Sequence, residues 1–379
     1  MAKVGLSRIA ILGGGPAGLE AALVARSHGF PVNLYESGQP GEFVGRWGFV
    51  KMFTPFGMNC TSLGKQTLRN EKHDLELPAD TEFLTGREYR ERYLQPLAAS
   101  AFLKDCIRPQ CAVVSVGRGG WRKSDPGDAK KLPPFRLLLR ENNVEKFEAA
   151  DIVFDCTGTY GRPNWIGDGG IPAIGEAAAR PQMSYWLDDV RGAKKATYSG
   201  KTTILIGGGY SAATTACELV ELAGENSATW LIWLTHGAKS QPLARVPNDP
   251  FKERDRLAAK ANHLAARCDG NLEYHANTQI DEVTSHGPDK GFRVCGRVNG
   301  KPMLWDVDRV MANVGYKPDM AMCGELRVNE PTGEFRTAEP GYFIIGAKSR
   351  GRDSGGLIRD SHEQIRQAIA SIGPVAKAA

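Results

Sequence analysis

Gly13, Gly15 and Gly18 follow the apolar run Arg8–Leu12 at G-x-G-x-x-G spacing, and an Ala-rich stretch reaching about His28 comes after them. In such a loop the first glycine allows a tight turn. The second lets a pyrophosphate reach the backbone, and the third lets helix pack on strand. Pro16 and Ala17 then open the helix, whose first amides and positive dipole end face the phosphates. Glu36 ends the next apolar run, Val32–Glu36. A carboxylate there can accept hydrogen bonds from both hydroxyls of an adenosine ribose. A Gly-rich turn with a surface Glu is the plain alternative. Strand, loop, helix, strand and terminal acid in that order argue against it.

A second loop follows Thr202–Ile206. It reads Gly207, Gly209, Ala212, with Tyr210 and Ser211 at the start of its helix. Ala at the third place widens the helix–strand approach slightly. The next strand, Thr229–Leu234, ends without an acid. A carboxylate there would repel a 2′-phosphate, so its absence admits NADPH, with NADH still open. His236, Lys239 and Arg245 are candidates to pair with that phosphate. Each, taken singly, is more readily a solvated surface cation.

These loops need strands and helices to hold them. Two β-α-β units about 190 residues apart amount to a duplicated architecture, so the expected class is α/β with two Rossmann-like domains. Residues 37–80 read as a long irregular stretch, kept ordered by Phe43, Trp47, Phe49, Phe53 and Phe56. A helix is expected from about Arg87 to Leu103, with strands near 111–116 and 135–140 and a surface turn over Trp121–Pro134. The strand Asp151–Cys156 ends in Thr157-Gly158. Strand Arg309–Asn313 leads to Val314-Gly315-Tyr316, and Gly341–Ile345 leads to Gly346-Ala347-Lys348. A last helix runs from about Gly356 to Ile372.

The 379 residues are 41% hydrophobic and 24% charged, with a net charge of +5. That suits a soluble globular chain binding anionic cofactors, and points away from nucleic acid. No apolar run reaches the ~18 residues of a membrane helix, and the short N-terminus does not read as a signal peptide. Eight scattered cysteines without a C-x-x-C read as reduced thiols of a cytoplasmic protein. Histidine and cysteine spacing offers no metal set.

The Gly13–Gly18 loop with Glu36, the Gly45-Arg46-Trp47 element, Asp155-Cys156-Thr157-Gly158, the second glycine loop and Asn313–Tyr316 resemble the two-dinucleotide-domain flavoproteins. These include thioredoxin reductases, flavin-containing monooxygenases and Baeyer–Villiger monooxygenases. The resemblance covers nearly the whole chain and implies FAD. It also implies an NAD(P)H domain, 196–314, inserted within an FAD domain of 1–195 and 315–379. C-T-G and N-V-G stand where the family has A-T-G, so that match is partial. Ala17 stands where bacillithiol disulfide reductases carry a cysteine. Ala347-Lys348 follows Gly346 where many reductases have the aspartate that holds the flavin ribityl chain. Arg46, Trp47, Asn59, Gly346, Gly356 and Leu357 are expected near the flavin, the last two because they open the final helix.

Without a redox disulfide, reduced flavin can pass electrons to oxygen or to a bound substrate. A monooxygenase needs an apolar, closed site, and segment 43–60 could supply its wall. Asn59 and Thr61 are the candidate catalytic hydrogen-bonding residues, with turn capping as their alternative role. Three readings stay open. One is a monooxygenase acting on a heteroatom or carbonyl of a small molecule. Another is an NAD(P)H-dependent reductase or dehydrogenase without oxygen insertion. The third is a non-catalytic flavin-binding protein. The expected partners are a small substrate and oxygen, neither nucleic acid nor membrane, with a homodimer open.

Overall fold

Ile9–Leu12 pairs in parallel with Val32–Tyr35 on one side and Ile152–Asp155 on the other. Tyr342–Ile344 and Ile107–Arg108 extend this to a five-stranded parallel sheet. The central strand is wholly buried, as a parallel sheet covered on both faces requires. In the register, Leu12 lies opposite both Tyr35 and Asp155, and Ile344 opposite Asp155. The strands therefore end level, and Gly13, Glu36, Thr157 and Gly346 emerge at one carboxyl edge. Ligands of open α/β sheets bind at that edge.

The structure is a computed structural model that describes residues 7–71, 75–125 and 132–372. The expected turn over Trp121–Pro134 lies partly outside these residues. The chain divides into two compact units: Met1–Arg162 with Lys317–Ala379, and Pro163–Tyr316.

In the first unit, helix Pro16–Ser27 lies on the parallel sheet with the last helix, Ile358–Ile372, against it. Leu19, Leu23, Ile365 and Ile369 belong to their shared core. A three-stranded antiparallel sheet, Cys111–Arg118, Phe135–Glu141 and Val144–Ala150, buries Phe135, Leu137 and Leu139. The stretch 37–80 is less irregular than its sequence suggests, for it holds helices Glu42–Arg46, Phe56–Asn59 and Ser62–Glu71. The helix expected over 87–103 starts at Gly86 and ends at Ala98, with a π-helical turn at Arg90–Leu94. Its start is set by Thr85 and Glu88, which form a capping box.

The second unit has a parallel sheet of Leu272–His275, Trp230–Leu234, Thr202–Ile206 and Arg309–Ala312. Helices Tyr210–Glu225 and Lys252–Arg267 pack together. An antiparallel sheet, Thr278–Ser285, Phe292–Val298 and Lys301–Val307, completes it.

The units divide at 162/163 and 316/317, where the sequence expectation is 195/196 and 314/315. Segment 163–195, expected with the first domain, packs with the second. The segment is joined to the second unit's strands by backbone bridges, and internally it is held by Glu176. Its carboxylate is fully buried and accepts from the amides of Ile166 (3.0 Å) and Ala173 (2.9 Å) and from the Tyr185 hydroxyl (2.5 Å). Backbone bridges Gly167–Ile280 and Ser184–Met311 fix the same segment.

Candidate functional site

The first glycine loop divides its labour as the spacing implies. Gly13 has φ +95°, and a Cβ there would lie 2.8 Å from the Cys156 carbonyl oxygen. A Cβ on Gly18 would lie 1.8 Å from the Gly13 carbonyl oxygen, so this glycine serves helix–strand packing. A Cβ on Gly15 would meet no atom within 4 Å. Gly15 faces a cavity of about 770 Å³, also lined by Gly13, Pro16, Ala17 and Glu36. A dense backbone with one open glycine is the cradle a pyrophosphate needs.

Glu36 is fixed in place by the backbone. Its Oε2 accepts from the Gly14 amide (2.6 Å) and its Oε1 from the Gly38 amide (2.7 Å). Oε1 also accepts from the Ser37 hydroxyl (3.2 Å), and Oε2 keeps a second acceptor direction, which can serve a ribose hydroxyl.

The same cavity is lined by Phe43, Arg46 and Trp47, by Cys156–Arg162, by Ile345–Ala347 and by Gly356–Ile358. Arg46 lies 4.7 Å over the Phe43 ring and pairs with Glu42 at 3.0 Å. Trp47 packs so closely on Gly86 that a Cβ there would meet its ring at 2.6 Å. Gly346, at φ +78°, donates its amide to Gln364 (2.8 Å). The last helix begins at Ile358 rather than Gly356, and Asp360 caps it by accepting from the Leu357 amide (2.9 Å). At the rim, Arg162 and Asp319 pair at 2.5 Å.

Asn59 and Thr61 lie elsewhere. Asn59 is buried, and its amide group is spent within its own turn. It accepts from the Thr54 hydroxyl (2.9 Å) and donates to the carbonyls of Thr54 (3.2 Å) and Pro55 (3.0 Å). It does not line the large cavity, so the alternative role of turn capping is the one its geometry fits. Thr61 accepts from the Gly64 amide (3.0 Å), capping helix Ser62–Glu71, and donates to Glu20 (3.1 Å). It lines a separate pocket of about 460 Å³ with Cys60, Ser62 and residues 359–366 of the last helix.

The thiols here are quiet. Burial pushes Cys60 up to about 11 and Cys156 well above its ordinary value. A thiolate, the reactive form, is thereby disfavoured at both. Ala17 occupies the loop position on the cavity wall.

Several features had no sequence signal. Lys348 and Asp155 form a fully buried ion pair at 2.6 Å, joined by the hydroxyls of Tyr342 (2.8 Å) and Thr157 (2.6 Å). Glu20, on the first helix, is buried, and this pushes its carboxyl up to about 7. His362 is buried as well, which lowers its imidazole to about 4. An apolar-patterned helix does not announce which of its polar residues turns inward.

In the second unit Gly207 has φ +144° and would place a Cβ 2.2 Å from the Asn313 carbonyl oxygen and 3.3 Å from the Ala212 methyl. Gly209 is open, with no atom within 4 Å of the place a Cβ would take. Tyr210 and Ser211 begin the helix. The loop thus has the same division of labour as the first. The candidate cations have protein surroundings of their own. Arg245 is engaged by both oxygens of Asp255, at 2.8 and 2.5 Å. His236 is exposed but lies 3.5 Å from Asp168. Lys239 is exposed on the same loop.

Among the described residues no cluster suited to a metal ion occurs, and no helix is long and apolar enough to cross a membrane. No family model and no curated protein matches the chain. Solved structures do. A bacillithiol disulfide reductase from Bacillus cereus is 18% identical, with 97% of this chain and 100% of that one covered, at a TM-score of 0.70. A Kutzneria ornithine N-hydroxylase, with reduced FAD, NADP+ and L-ornithine, is 15% identical over 97% and 99%, at 0.65. A thioredoxin reductase from T. acidophilum is 18% identical over 96% of each chain, at 0.60. With its two glycine loops on two parallel sheets, the chain shares the fold of these solved structures.

Proposed function

We propose that the protein is an FAD-dependent oxidoreductase that takes electrons from NAD(P)H and delivers them without a redox disulfide. The observation that carries this is the first loop: open Gly15 and doubly held Glu36 facing one cavity of about 770 Å³. That volume lies within the ~300–1,000 Å³ of ordinary cofactor sites. FAD, when bound, supplies two-electron chemistry that no side chain here offers.

The chain's own residues bind and shelter. The amides following Gly15 would take the pyrophosphate, and Glu36 the adenosine ribose. Phe43, Trp47 and Tyr160 give the cavity an aromatic wall that excludes water, with Phe43 and Tyr160 packed at 5.8 Å. Ala347 offers no polar side chain where a ribityl contact is expected. The unit Pro163–Tyr316 would take the nicotinamide nucleotide at Gly207–Ala212. NADPH is the nucleotide we favour, since no acid ends strand Trp230–Leu234 and Lys239 is exposed beyond it.

For the acceptor, we favour oxygen and a small molecule that receives one oxygen atom. Ala17 on the cavity wall and the quiet thiols of Cys60 and Cys156 favour this over thiol–disulfide exchange. Oxygen uptake during NADPH oxidation, with labelled oxygen followed into product, tests it. Substrate turnover that continues without oxygen would move the assignment to a dehydrogenase or reductase.

A further inference from the structure

The pocket beside the large cavity has an unusual lining. It measures about 460 Å³ and lies between the start of helix Ser62–Glu71 and one face of the last helix. Residues 359, 362, 363 and 366 share that face by helical spacing. Asp360 borders both this pocket and the large cavity.

His362 is the informative residue. It is only 8% exposed, yet it lines the pocket, and among the described residues no group accepts from or donates to its ring. Its ring nitrogens are not sealed from solvent, so they open on the pocket, where a ligand can meet them. Burial keeps the ring neutral near pH 7, so it carries one N–H donor and one acceptor.

The other groups sort into committed and available. Glu363 is taken by Arg366 (2.6 Å) and Gln367 (2.8 Å), and Asp360 by the Leu357 amide. Thr61 is taken by Glu20 and the Gly64 amide. Arg359 comes no closer than 3.9 Å to Asp360. The first amides of the ten-residue helix Ser62–Glu71 have no partner within the helix. What remains is a set of donors: His362, Arg359, the Ser62 hydroxyl and the helical amides ahead of Gly64.

We propose that this pocket binds the carboxylate of a small monoanionic molecule, held by His362, Arg359 and the start of helix Ser62–Glu71. The lining sets two guanidinium groups against two carboxylates, with Glu20 behind Thr61. The lining thus carries no net charge, so it tolerates at most a single negative charge, whereas a phosphate dianion would add a second one beside Asp360 and Glu363. The proposal rests on the flavin reading in one respect only. Because Asp360 is shared, the bound molecule would lie next to the flavin and be its candidate substrate.

The test is an NMR titration of histidine-labelled protein near pH 7, with and without FAD. The His362 ring signals are assigned by their loss in His362→Gln. Acetate is expected to shift them saturably. Arg359→Ala should weaken that binding roughly tenfold or more, the usual consequence of losing a charged hydrogen bond. Inorganic phosphate at equal concentration should bind more weakly than acetate. No saturable shift, a shift indifferent to Arg359→Ala, or tighter phosphate binding would each overturn the proposal. Since binding is read without FAD as well, its failure is separate from failure of the flavin assignment.

Discussion

The Nζ of Lys348 lies 2.6 Å from Oδ2 of Asp155, 193 residues away, and neither side chain is exposed. The pair joins two strand ends that border the large cavity, Asp155-Cys156-Thr157 and Gly346-Ala347-Lys348. Removing one partner strands a buried charge, at a cost of about 3–5 kcal/mol. Lys348→Met alone should therefore lower the denaturant midpoint sharply. Lys348→Met with Asp155→Leu should recover much of the loss. Equal stability of the single variant and the parent would show that the pair is not closed in solution.

Gly15→Leu should abolish flavin binding while the fold persists, because the site around Gly15 is open and only a bound pyrophosphate would meet the new side chain. Gly18→Ala should instead unfold or destabilise the protein, since its Cβ would strike the Gly13 carbonyl. Circular dichroism with released-flavin fluorescence separates the two outcomes. Retention of flavin by Gly15→Leu would refute the cradle.

Much of this loop was legible because its chemistry is local. Five features stand within some thirty residues, and each restricts the backbone. Asn59 was not legible. Its residue type suits a ligand as well as a turn, and only the fold shows its amide closing on Thr54 and Pro55. The Asp155–Lys348 pair is set by strand order, which no spacing along the chain encodes. Helix Lys252–Arg267 and the antiparallel strands 278–307 also had no clear signature, and segment 163–195 joins the second unit through the backbone bridges Gly167–Ile280, Ile174–Glu282 and Ser184–Met311, contacts that a sequence does not display.

Glu20 gives a pH signature. Its carboxyl is near 4.5 when unfolded and is pushed up to about 7 by burial in the fold. Between these values the folded state binds more protons, so this group's contribution is full below about 4.5 and is lost as pH rises through 7. The loss is on the order of 3 kcal/mol. Glu20→Gln should flatten the fall in stability between about pH 5 and 8, as followed by urea unfolding. An unchanged slope would remove Glu20 as its source.

Cys60→Ala and Cys156→Ala should leave NADPH-driven flavin reduction within about twofold of the parent, since neither buried thiol favours the thiolate form. Thiol reagents should modify exposed Cys268 first. Loss of turnover with an unaltered flavin spectrum would restore a thiol–disulfide mechanism.

The central claim is tested by the visible spectrum of the purified protein, taken anaerobically before and after NADPH and again after oxygen is admitted. The account predicts stoichiometric non-covalent FAD whose oxidised band is bleached by NADPH and returns with oxygen. A colourless protein that cannot be reconstituted with FAD, or a bound flavin that neither NADPH nor NADH reduces, would contradict it.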